Sequence, residues 1–438
     1  MENLMTKIQN KTAVVGIMGM GYVGLPLAMA FAKQFKVIGY DVNVTTINTL
    51  KAGKSHIKDV PTERVKEVLC ATFFPSDKEE DLADCDAFII CVPTPLNTEH
   101  EPELKYVRSA TETIAKQLRK EQLVILESTT YPGTVSEVMK PILEKSGLKA
   151  GEDFYLVHSP ERIDPGNTSA VEDIPKIVGG LTQKCTDCGV LLYSYALKHI
   201  VPVSNAKTAE AVKIMENTYR CINIALINEL SIVFSQMGID TWEVVEAAST
   251  KPYGFSAFTP GPGIGGHCIP LDPYYLSYQA QKFGASTRFI TLAGEINQYM
   301  KVYTISLARN ALKTFGKSMQ DSRIAIFGLS YKKNINDARE SPAEYIIHYL
   351  RSEGAKIILH DPGISEFKVG SEILTCEKSL EKALSLADCA IFLVDHDEYT
   401  TLSQEKIIEN MKIPIVIDCK NIFKENDKLI YSGIGKSL

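Results

Sequence analysis

The segment Thr12-Ala-Val-Val-Gly-Ile-Met-Gly-Met-Gly-Tyr-Val-Gly24 decides the fold of the amino-terminal third of the chain. It begins as an apolar strand and ends in the pattern Gly19-Met-Gly-Tyr-Val-Gly24. An apolar helical stretch and a second strand ending in Asp41 follow. Strand, Gly-x-Gly-x-x-Gly, helix, strand and acid together are typical of a dinucleotide-binding βαβ unit. The glycines allow a tight turn that brings a pyrophosphate to the helix N-terminus, where unpaired N–H groups favour an anion.

Asp41 indicates which dinucleotide binds. It lies 22 residues after Gly19, close to the roughly 20 expected for the acid that bonds the adenosine ribose hydroxyls. A carboxylate at this point repels a 2′-phosphate, so the sequence favours NAD over NADP. Thr94 and Thr129 follow two later strands. We expect both at the cofactor edge, because ligands of parallel sheets bind beyond the strand C-termini.

Further apolar runs predict two α/β sheets. Three runs extend the first sheet as parallel strands covered on both faces: 86–92, 123–126 and 155–158. The last third repeats this pattern, since Arg323-Ile-Ala-Ile-Phe-Gly328 mirrors the first strand and 386–394 echoes 82–92. The predicted fold class is α/β, with two Rossmann-like parallel-sheet domains joined by a central all-helical domain with one long helix. Expected boundaries are 1–206 for the NAD-binding domain, 207–315 for the helical domain and 316–438 for the C-terminal Rossmann-like domain.

The long helix is predicted over 207–237, which contain neither proline nor glycine. Its apolar side chains predict a largely buried element: Val212, Met215, Ile222, Leu226, Leu230, Val233 and Phe234. Glu210, Lys213, Asn217 and Arg220 are spaced three and four apart and share one stripe. Either this stripe is solvated, with an ion pair between Glu210 and Lys213, or Lys213 and Asn217 line an internal cleft.

Composition narrows the class of protein. The 438 residues are 45% hydrophobic and 23% charged, which is normal for a globular protein. A net charge of −6 argues against a nucleic-acid binder. No apolar run reaches the roughly 18 residues of a membrane span, and the polar N-terminus does not resemble a signal peptide. We therefore expect a cytoplasmic protein with reduced cysteines. The single Cys185-Thr-Asp-Cys188 pair is interpreted as incidental, so no metal site is predicted.

Two loops carry candidate chemistry. In Phe258-Thr-Pro-Gly-Pro-Gly-Ile-Gly-Gly-His-Cys-Ile-Pro-Leu-Asp272, glycine and proline shape a loop around Cys268, which a substrate carbon could reach. The alternative is that Cys268 is a buried small apolar residue. In Ser159-Pro-Glu-Arg162, the acid Glu161 directly follows a strand and a proline; the alternative is a plain connecting loop.

Cations replace the glycine pattern in the second α/β unit. After its first strand come Tyr331-Lys332-Lys333, and Arg339 follows seven residues after Lys332. Such cations suit a different phosphate-bearing ligand, for example a nucleotide diphosphate attached to another group. Alternatively they are solvated surface charges.

Seven motifs in this order resemble the UDP-glucose/GDP-mannose dehydrogenase family. They are Gly19-Met-Gly-Tyr-Val-Gly24, Val92-Pro-Thr-Pro95, Ser128-Thr129, Ser159-Pro-Glu161, Lys213 to Asn217, Gly265-Gly-His-Cys268, and Tyr331-Lys332 to Arg339. The resemblance implies a long helix that forms the core of a homodimer or higher homo-oligomer. It also implies NAD-dependent, four-electron oxidation of a nucleotide sugar's C6 hydroxyl to a carboxylate without release of the aldehyde, for the synthesis of surface polysaccharide or glycan precursors.

The same resemblance assigns roles to residues. Cys268 would form a thiohemiacetal and then a thioester. Lys213 and Asn217 would stabilise the oxyanion. Asp272 and Thr129 would position the hydrolytic water, with Glu161 as acid/base. The implied cofactor-binding residues are Gly19, Gly21, Tyr22, Val23, Gly24, Asp41, Thr46, Pro93, Thr94, Thr129 and Arg339. The implied substrate-binding residues are Glu161, Arg162, Lys213, Asn217, Phe258, Gly265 and Lys332, the last pairing with the UDP phosphates.

Leu271 departs from the UDP-glucose members of that family, which usually carry a lysine there. The surrounding motifs look like the branch that acts on UDP-N-acetylhexosamines. UDP-N-acetylglucosamine is the first expected substrate, with UDP-N-acetylmannosamine and then UDP-glucose as alternatives. Two other classes stay open: a two-electron hydroxyacid dehydrogenase, which forms one NADH per substrate, and a non-catalytic nucleotide-sugar sensor.

Overall fold

The computed structural model describes residues 3–57, 59–97, 101–162, 171–266, 269–424 and 428–436. The chain divides into two compact units. The first unit is Met1–Glu216 with Tyr274–Ser286, and the second is Asn217–Pro273 with Thr287–Leu438. The three domain boundaries expected from the sequence stay a prediction.

The first unit is built on an eight-stranded sheet with the order β3-β2-β1-β4-β5-β6-β7-β8. Its strands are β1 Val14–Met18, β2 Lys36–Tyr40, β3 Phe73–Ser76, β4 Ala87–Ile90, β5 Leu123–Leu126, β6 Tyr155–His158, β7 Lys176–Gly180 and β8 Ile200–Pro202. Neighbours are parallel, except that β7 runs antiparallel to β6. The prediction of a parallel-sheet Rossmann-like domain is confirmed.

Helices cover both faces of this sheet, as the continuous apolar strands require. They are α1 Leu4–Gln9, α2 Gly24–Phe31, α3 Val44–Lys51, α4 Thr62–Val68, α5 Lys105–Ala115, α6 Lys140–Leu143 and α7 Gln183–Ser194, with a π-helical turn at Val135–Met139. Short 3₁₀ turns lie at Glu79–Leu82, Glu144–Ser146 and Val171–Asp173. One apolar core packs α2 and α7 against the sheet, and the other packs α5 and the π-helical turn.

One long helix, α8 (Ala206–Gln236), confirms the helix predicted over 207–237. The expectation about its burial is wrong. Met215, Leu226 and Val233 are exposed, and the other four apolar residues named above are only half-buried. The buried residues instead include Glu210 and Asn217. Apolar side chains on a helix indicate that it packs against another apolar surface, but they do not show whether that surface belongs to the same chain.

The second unit carries a parallel sheet with the order β10-β9-β13-β14-β15 and a separate hairpin of β11 and β12. Its further helices are α9 Thr241–Ser249, α10 Asp272–Lys282 (which continues into the first unit), α11 Arg288–Thr314, α12 Pro342–Ser352, α13 Leu380–Leu384, α14 Asp397–Thr400 and α15 Gln404–Asn410. The strands are β9 Arg323–Phe327, β10 Lys356–His360, β11 Glu366–Val369, β12 Glu372–Thr375, β13 Cys389–Phe392, β14 Ile415–Asp418 and β15 Ile430–Gly433. This sheet confirms the predicted second Rossmann-like domain.

Strand order reverses beside β9 in this second sheet, because β10 and β13 lie on its two sides. In open parallel sheets, ligands bind at such a reversal, beyond the strand C-termini. Across the described residues, no helix combines the length and apolar character needed to cross a membrane.

Candidate active site

The glycine turn of the first unit has the shape a pyrophosphate requires. Gly19 adopts φ +96°, a conformation that side chains disfavour. A Cβ at Gly24 would lie 1.8 Å from the Gly19 carbonyl oxygen, whereas a Cβ at Gly21 would meet no atom within 4 Å. The turn is thus closed on its inner side and open on its outer side. Tyr22 is exposed and Val23 half-buried at the start of α2.

Asp41 follows β2 and lies half-buried beside this turn. Its carboxylate accepts backbone N–H bonds from Met20 (2.7 Å) and Asn43 (2.8 Å). These two bonds fix the carboxylate at the end of β2, where an adenosine ribose is expected. Asn43 also caps α3, and its side chain accepts the Thr46 N–H at 3.3 Å. The residues present therefore fit a dinucleotide without a 2′-phosphate.

The loops after β4 and β5 are tied together. The Thr94 hydroxyl donates to the Thr129 carbonyl at 2.8 Å, and the Ser128 hydroxyl donates to the Val92 carbonyl at 2.7 Å. Tyr275 donates its O–H to the Thr94 carbonyl. Pro93 is exposed, and Thr94 and Thr129 are half-buried. The structure thus brings together the two threonines that the sequence placed at the cofactor edge.

Glu161 and Arg162 follow β6. The Glu161 carboxylate accepts the Arg162 N–H at 2.6 Å, and the Arg162 guanidinium contacts Glu216 of α8 at 2.6 Å and the Pro175 carbonyl at 2.7 Å. Lys176 lies behind them, with its Nζ 3.9 Å from Glu161 Oε2. The loop is therefore linked to charged groups, and the connecting-loop interpretation is incomplete.

On α8, the first alternative for the polar stripe, an ion pair between Glu210 and Lys213, is wrong. The buried Glu210 carboxylate instead accepts the N–H groups of Gly133 (2.5 Å) and Val135 (2.9 Å). Burial raises the pKa of Glu210 to about 7, against the lowering effect of these two bonds. Lys213 is only 8% exposed. The solvated-stripe alternative holds for Arg220 alone, which is exposed.

In the second unit, Asn217 and Asp272 form a buried pair. Asn217 Nδ2 donates to Asp272 Oδ2 at 2.5 Å, and both residues are less than 5% exposed. Asp272 begins α10. The structure thus brings together two residues that lie 55 positions apart and that the sequence assigned to one site. Cys268, the candidate nucleophile between them in sequence, lies outside the described residues.

The glycine loop that leads to Cys268 passes close to Tyr331. A Cβ at Gly265 would lie 2.7 Å from Tyr331 Cβ, and Gly266 has φ +84°. Glycine is therefore needed at both positions. Phe258, at the start of this loop, is half-buried, and its ring lies 5.9 Å from that of Tyr219 on α8.

A cavity of about 160 Å³ lies at the carboxyl ends of β9, β13 and β14. Lys332, Lys333 and Lys420 line it, together with Asp395. Lys420 was not predicted, because one lysine after an apolar strand is a common feature. Burial lowers the pKa of Lys420 despite Asp395, so an anionic ligand in the cavity would stabilise its charge.

Two cations of this segment are paired with acids, although one of them, Lys333, also lines the cavity. Lys333 pairs with Asp397 at 2.7 Å, and the exposed Arg339 pairs with Asp337 at 2.6 Å. The surface-charge alternative fits these two exposed residues better than it fits Lys332, which is half-buried. No cluster of three metal-ligating side chains occurs in the part of the chain that the structure describes.

Comparisons with known proteins agree with this arrangement. Three models of the UDP-glucose/GDP-mannose dehydrogenase family match the chain: the NAD-binding domain over 13–197, the central domain over 207–299 and the UDP-binding domain over 325–425. UDP-N-acetyl-D-mannosamine dehydrogenase of Pyrococcus horikoshii is 36% identical, over 96% of this chain and 99% of that protein. UDP-N-acetyl-D-glucosamine 6-dehydrogenase of Pseudomonas aeruginosa is 39% identical, over 81% and 84%. The solved UDP-D-ManNAc dehydrogenase structure from Pyrococcus horikoshii has a TM-score of 0.90, covering 97% of this chain and 99% of that one.

Proposed function

The chain belongs to the UDP-glucose/GDP-mannose dehydrogenase family, and from this membership we propose that it oxidises the C6 hydroxyl of a UDP-N-acetylhexosamine to a carboxylate. The observation that carries the proposal is the presence of two nucleotide-binding edges in one chain. The first unit has the glycine turn with Asp41, and the second has the lysine-lined cavity. A two-electron hydroxyacid dehydrogenase needs only the first of these.

The overall reaction consumes one alcohol, two NAD⁺ and one water, and yields one carboxylate, two NADH and three protons. NAD, when bound, accepts a hydride in each of the two oxidations. Cys268 would add to the C6 aldehyde, and its sulfur would leave when water attacks the thioester. A thiolate suits both events because it is strongly nucleophilic and its acyl product still hydrolyses.

Polar side chains buried on α8 and α10 would stabilise the oxyanion and orient the water that hydrolyses the thioester. Lys213 and Asn217 are one helical turn apart on α8, which allows both to donate to one oxyanion. Asn217 gives one amide N–H to Asp272 and keeps a second on the same nitrogen. The Asp272 carboxylate, held by this bond, and the half-buried Thr129 would orient the water.

The UDP phosphates would bind at Lys332 and Lys420. Both line the cavity at the strand reversal of the second sheet, the position where open sheets bind nucleotides. Two ammonium groups at one cavity match the two negative charges of a diphosphate. The remaining proposed substrate contacts are Phe258, Gly265 and Arg162. Arg339 is proposed to contact the cofactor.

The sugar is proposed as an N-acetylhexosamine, with UDP-N-acetylglucosamine as first choice. Leu271 and the names of the relatives support an acetamido sugar. Several relatives are UDP-N-acetylmannosamine dehydrogenases and one is a UDP-N-acetylglucosamine 6-dehydrogenase, so the relatives slightly favour the mannosamine alternative. The test compares initial rates of NADH formation with UDP-N-acetylglucosamine, UDP-N-acetylmannosamine, UDP-N-acetylgalactosamine and UDP-glucose. We expect an acetamido sugar to react fastest. Equal or faster oxidation of UDP-glucose refutes the substrate class, and binding of both ligands without NADH formation favours the sensor.

We also propose a homodimer formed through the exposed faces of α8 and α11. Tyr219, Leu226 and Val233 recur every seven residues on α8, and Phe289, Leu292 and Tyr299 line α11; all six are at least 42% exposed. Exposed apolar stripes of this size mark interaction surfaces. Leu226→Glu should convert a dimer into a monomer of 48.4 kDa in light scattering. Arg220→Ala should not, because Arg220 is exposed on the same helix but lies roughly 120° around its axis from Leu226. Dimers that persist in Leu226→Glu contradict this interface.

A further inference from the structure

A buried cluster of charges lies behind Glu161 in the first unit. Lys176 is the first residue of β7, and because β7 runs antiparallel to β6, it lies at the edge where β5 and β6 end. Glu127 directly follows β5. The Lys176 ammonium lies 2.8 Å from Glu127 Oε2 and 3.9 Å from Glu161 Oε2. One cation therefore faces two carboxylates.

Burial makes this arrangement costly unless the charges compensate one another. Lys176 is 5% exposed and Glu127 is fully buried, and a buried charge without a partner costs several kcal/mol. Tyr193 of α7 donates its O–H to Glu127, and the Lys176 ammonium lies 5.4 Å from the centre of the same ring. The buried Lys176 ammonium is therefore enclosed by Glu127, Glu161 and the Tyr193 ring.

The shifted pKa values show how the charge is shared. Burial raises the pKa of Glu127 even though Lys176 opposes the shift. Burial disfavours the Lys176 cation, yet Glu127 and Glu161 together raise its pKa. The two carboxylates therefore share one ammonium, and Glu127 draws Lys176 from Glu161 to the extent that Glu127 is ionised.

Among the residues that the structure describes, three other titratable groups near the cluster do not replace Lys176. Burial lowers the pKa of His158, on β6, to about 3, so its imidazole is neutral. Arg162 is engaged with Glu216 of α8 and a backbone carbonyl. Burial raises the pKa of Cys91, after β4, well above its ordinary value, so this thiol is uncharged.

We propose that Lys176 is a positioning residue that orients the Glu161 carboxylate, and that Glu127 competes with Glu161 for the same ammonium. The inference rests on the proposed function, because that function makes Glu161 the base in thioester hydrolysis. In this step a water O–H bond breaks and its proton goes to a Glu161 oxygen. The water oxygen bonds the acyl carbon, and the C–S bond breaks with its electron pair on the Cys268 sulfur. The step needs an ionised Glu161 as the base, so its rate should fall at acidic pH.

Competition predicts opposite effects for the two partners. Lys176→Met removes the cation and should move the acidic limb of the pH–rate profile upward by about 1 pH unit or more, the effect of losing one opposite charge within 4–6 Å. Glu127→Gln removes the carboxylate that competes for the Lys176 ammonium. It should move the acidic limb to lower pH, by a smaller amount. Lys176→Arg keeps the charge and should stay near wild type. A merely structural role would impair all three without this pattern of signs.

The experiment uses the full chain with the fastest UDP-sugar of the substrate panel. NADH formation gives the pH profile, and intact-mass measurement gives the fraction of enzyme held as the thioester during turnover. Lys176→Met should accumulate thioester at a slightly acidic pH where wild type does not. Lys198→Met, which removes an exposed lysine paired with Asp173, is the matched control and should change neither readout.

The outcomes separate this inference from the proposed function. If wild type forms no NADH with any UDP-sugar, the proposed function is wrong and the inference falls with it. If wild type turns over but the limbs of Lys176→Met and Glu127→Gln move in the same direction, or do not move, only the inference is wrong. If Lys176→Met does not fold, the other two variants still test the inference. It then predicts an acidic limb at lower pH in Glu127→Gln and an unchanged pH profile in Lys176→Arg.

Discussion

Glu210→Gln tests how the long helix is fastened to the loop after β5. The Glu210 carboxylate is 1% exposed and accepts the N–H groups of Gly133 and Val135. Burial raises its pKa from 4.5 to about 7. Because the folded state holds this proton more tightly than the unfolded state, the stabilisation is fully present below about pH 4.5 and is lost as the pH rises through about 7.

The size of the effect follows from this shift. Integrating the difference in bound protons between about pH 5 and about pH 8 gives a loss of about 2–3 kcal/mol in the free energy of unfolding. Glutamine cannot ionise, so the free energy of unfolding of Glu210→Gln does not fall in this way as the pH rises. It also keeps only one acceptor for the two N–H groups, which should cost about 1–2 kcal/mol at acidic pH. The variant should therefore be less stable than wild type near pH 5 and equal or more stable near pH 8.

Urea unfolding of wild type and Glu210→Gln near pH 5 and near pH 8 measures this difference in stability. Other titrating groups, including Glu127, contribute to both proteins and cancel in the comparison. The stability difference between variant and wild type should change by about 2–3 kcal/mol in favour of the variant as the pH rises. The same pH dependence in both proteins would show that Glu210 does not carry the shifted proton, and would refute the reasoning.

Three further predictions concern the chemistry. Cys268→Ser should slow uronate formation by orders of magnitude, because a serine hydroxyl is far less ionised than a thiol; near wild-type product formation, measured by chromatography, would exclude the covalent route. Asp41→Ala should narrow the preference for NAD over NADP in kcat/KM, because it removes the charge that repels a 2′-phosphate; an unchanged ratio would mean that Asp41 does not contact the ribose. Lys213→Ala should lower kcat by about 10²–10³ with little change in UDP-sugar affinity; wild-type kinetics would place Lys213 outside the site.

Both sheets could be predicted from the sequence because their signals are local. A continuous apolar strand, the glycine turn and Asp41 lie within one short segment, and the echo of 82–92 in 386–394 repeats the pattern. The burial of α8 could not be predicted in the same way. Leu226 and Val233 carry an apolar signal whether they pack inside the chain or remain exposed, so what covers them depends on information beyond the helix.

Motifs in the sequence name candidate site residues, but they do not give the distant partners of those residues. Spacing suggested that Glu210 pairs with Lys213, three positions away, but its partners are Gly133 and Val135, at least 75 positions away. Lys176 and Lys420 each stand alone in sequence, and only the sheet topology gives them neighbours. The one available signal was a charged residue next to a fully apolar strand, which is suggestive but common.

The number of NADH molecules formed per uronate most directly tests the claim that this chain performs both oxidations. The measurement follows complete conversion of a limiting amount of the preferred UDP-N-acetylhexosamine, with NADH read by absorbance and the acid by mass spectrometry. We expect two NADH per carboxylate and no free aldehyde in solution. One NADH per substrate, with an aldehyde or ketone as the product, would contradict it.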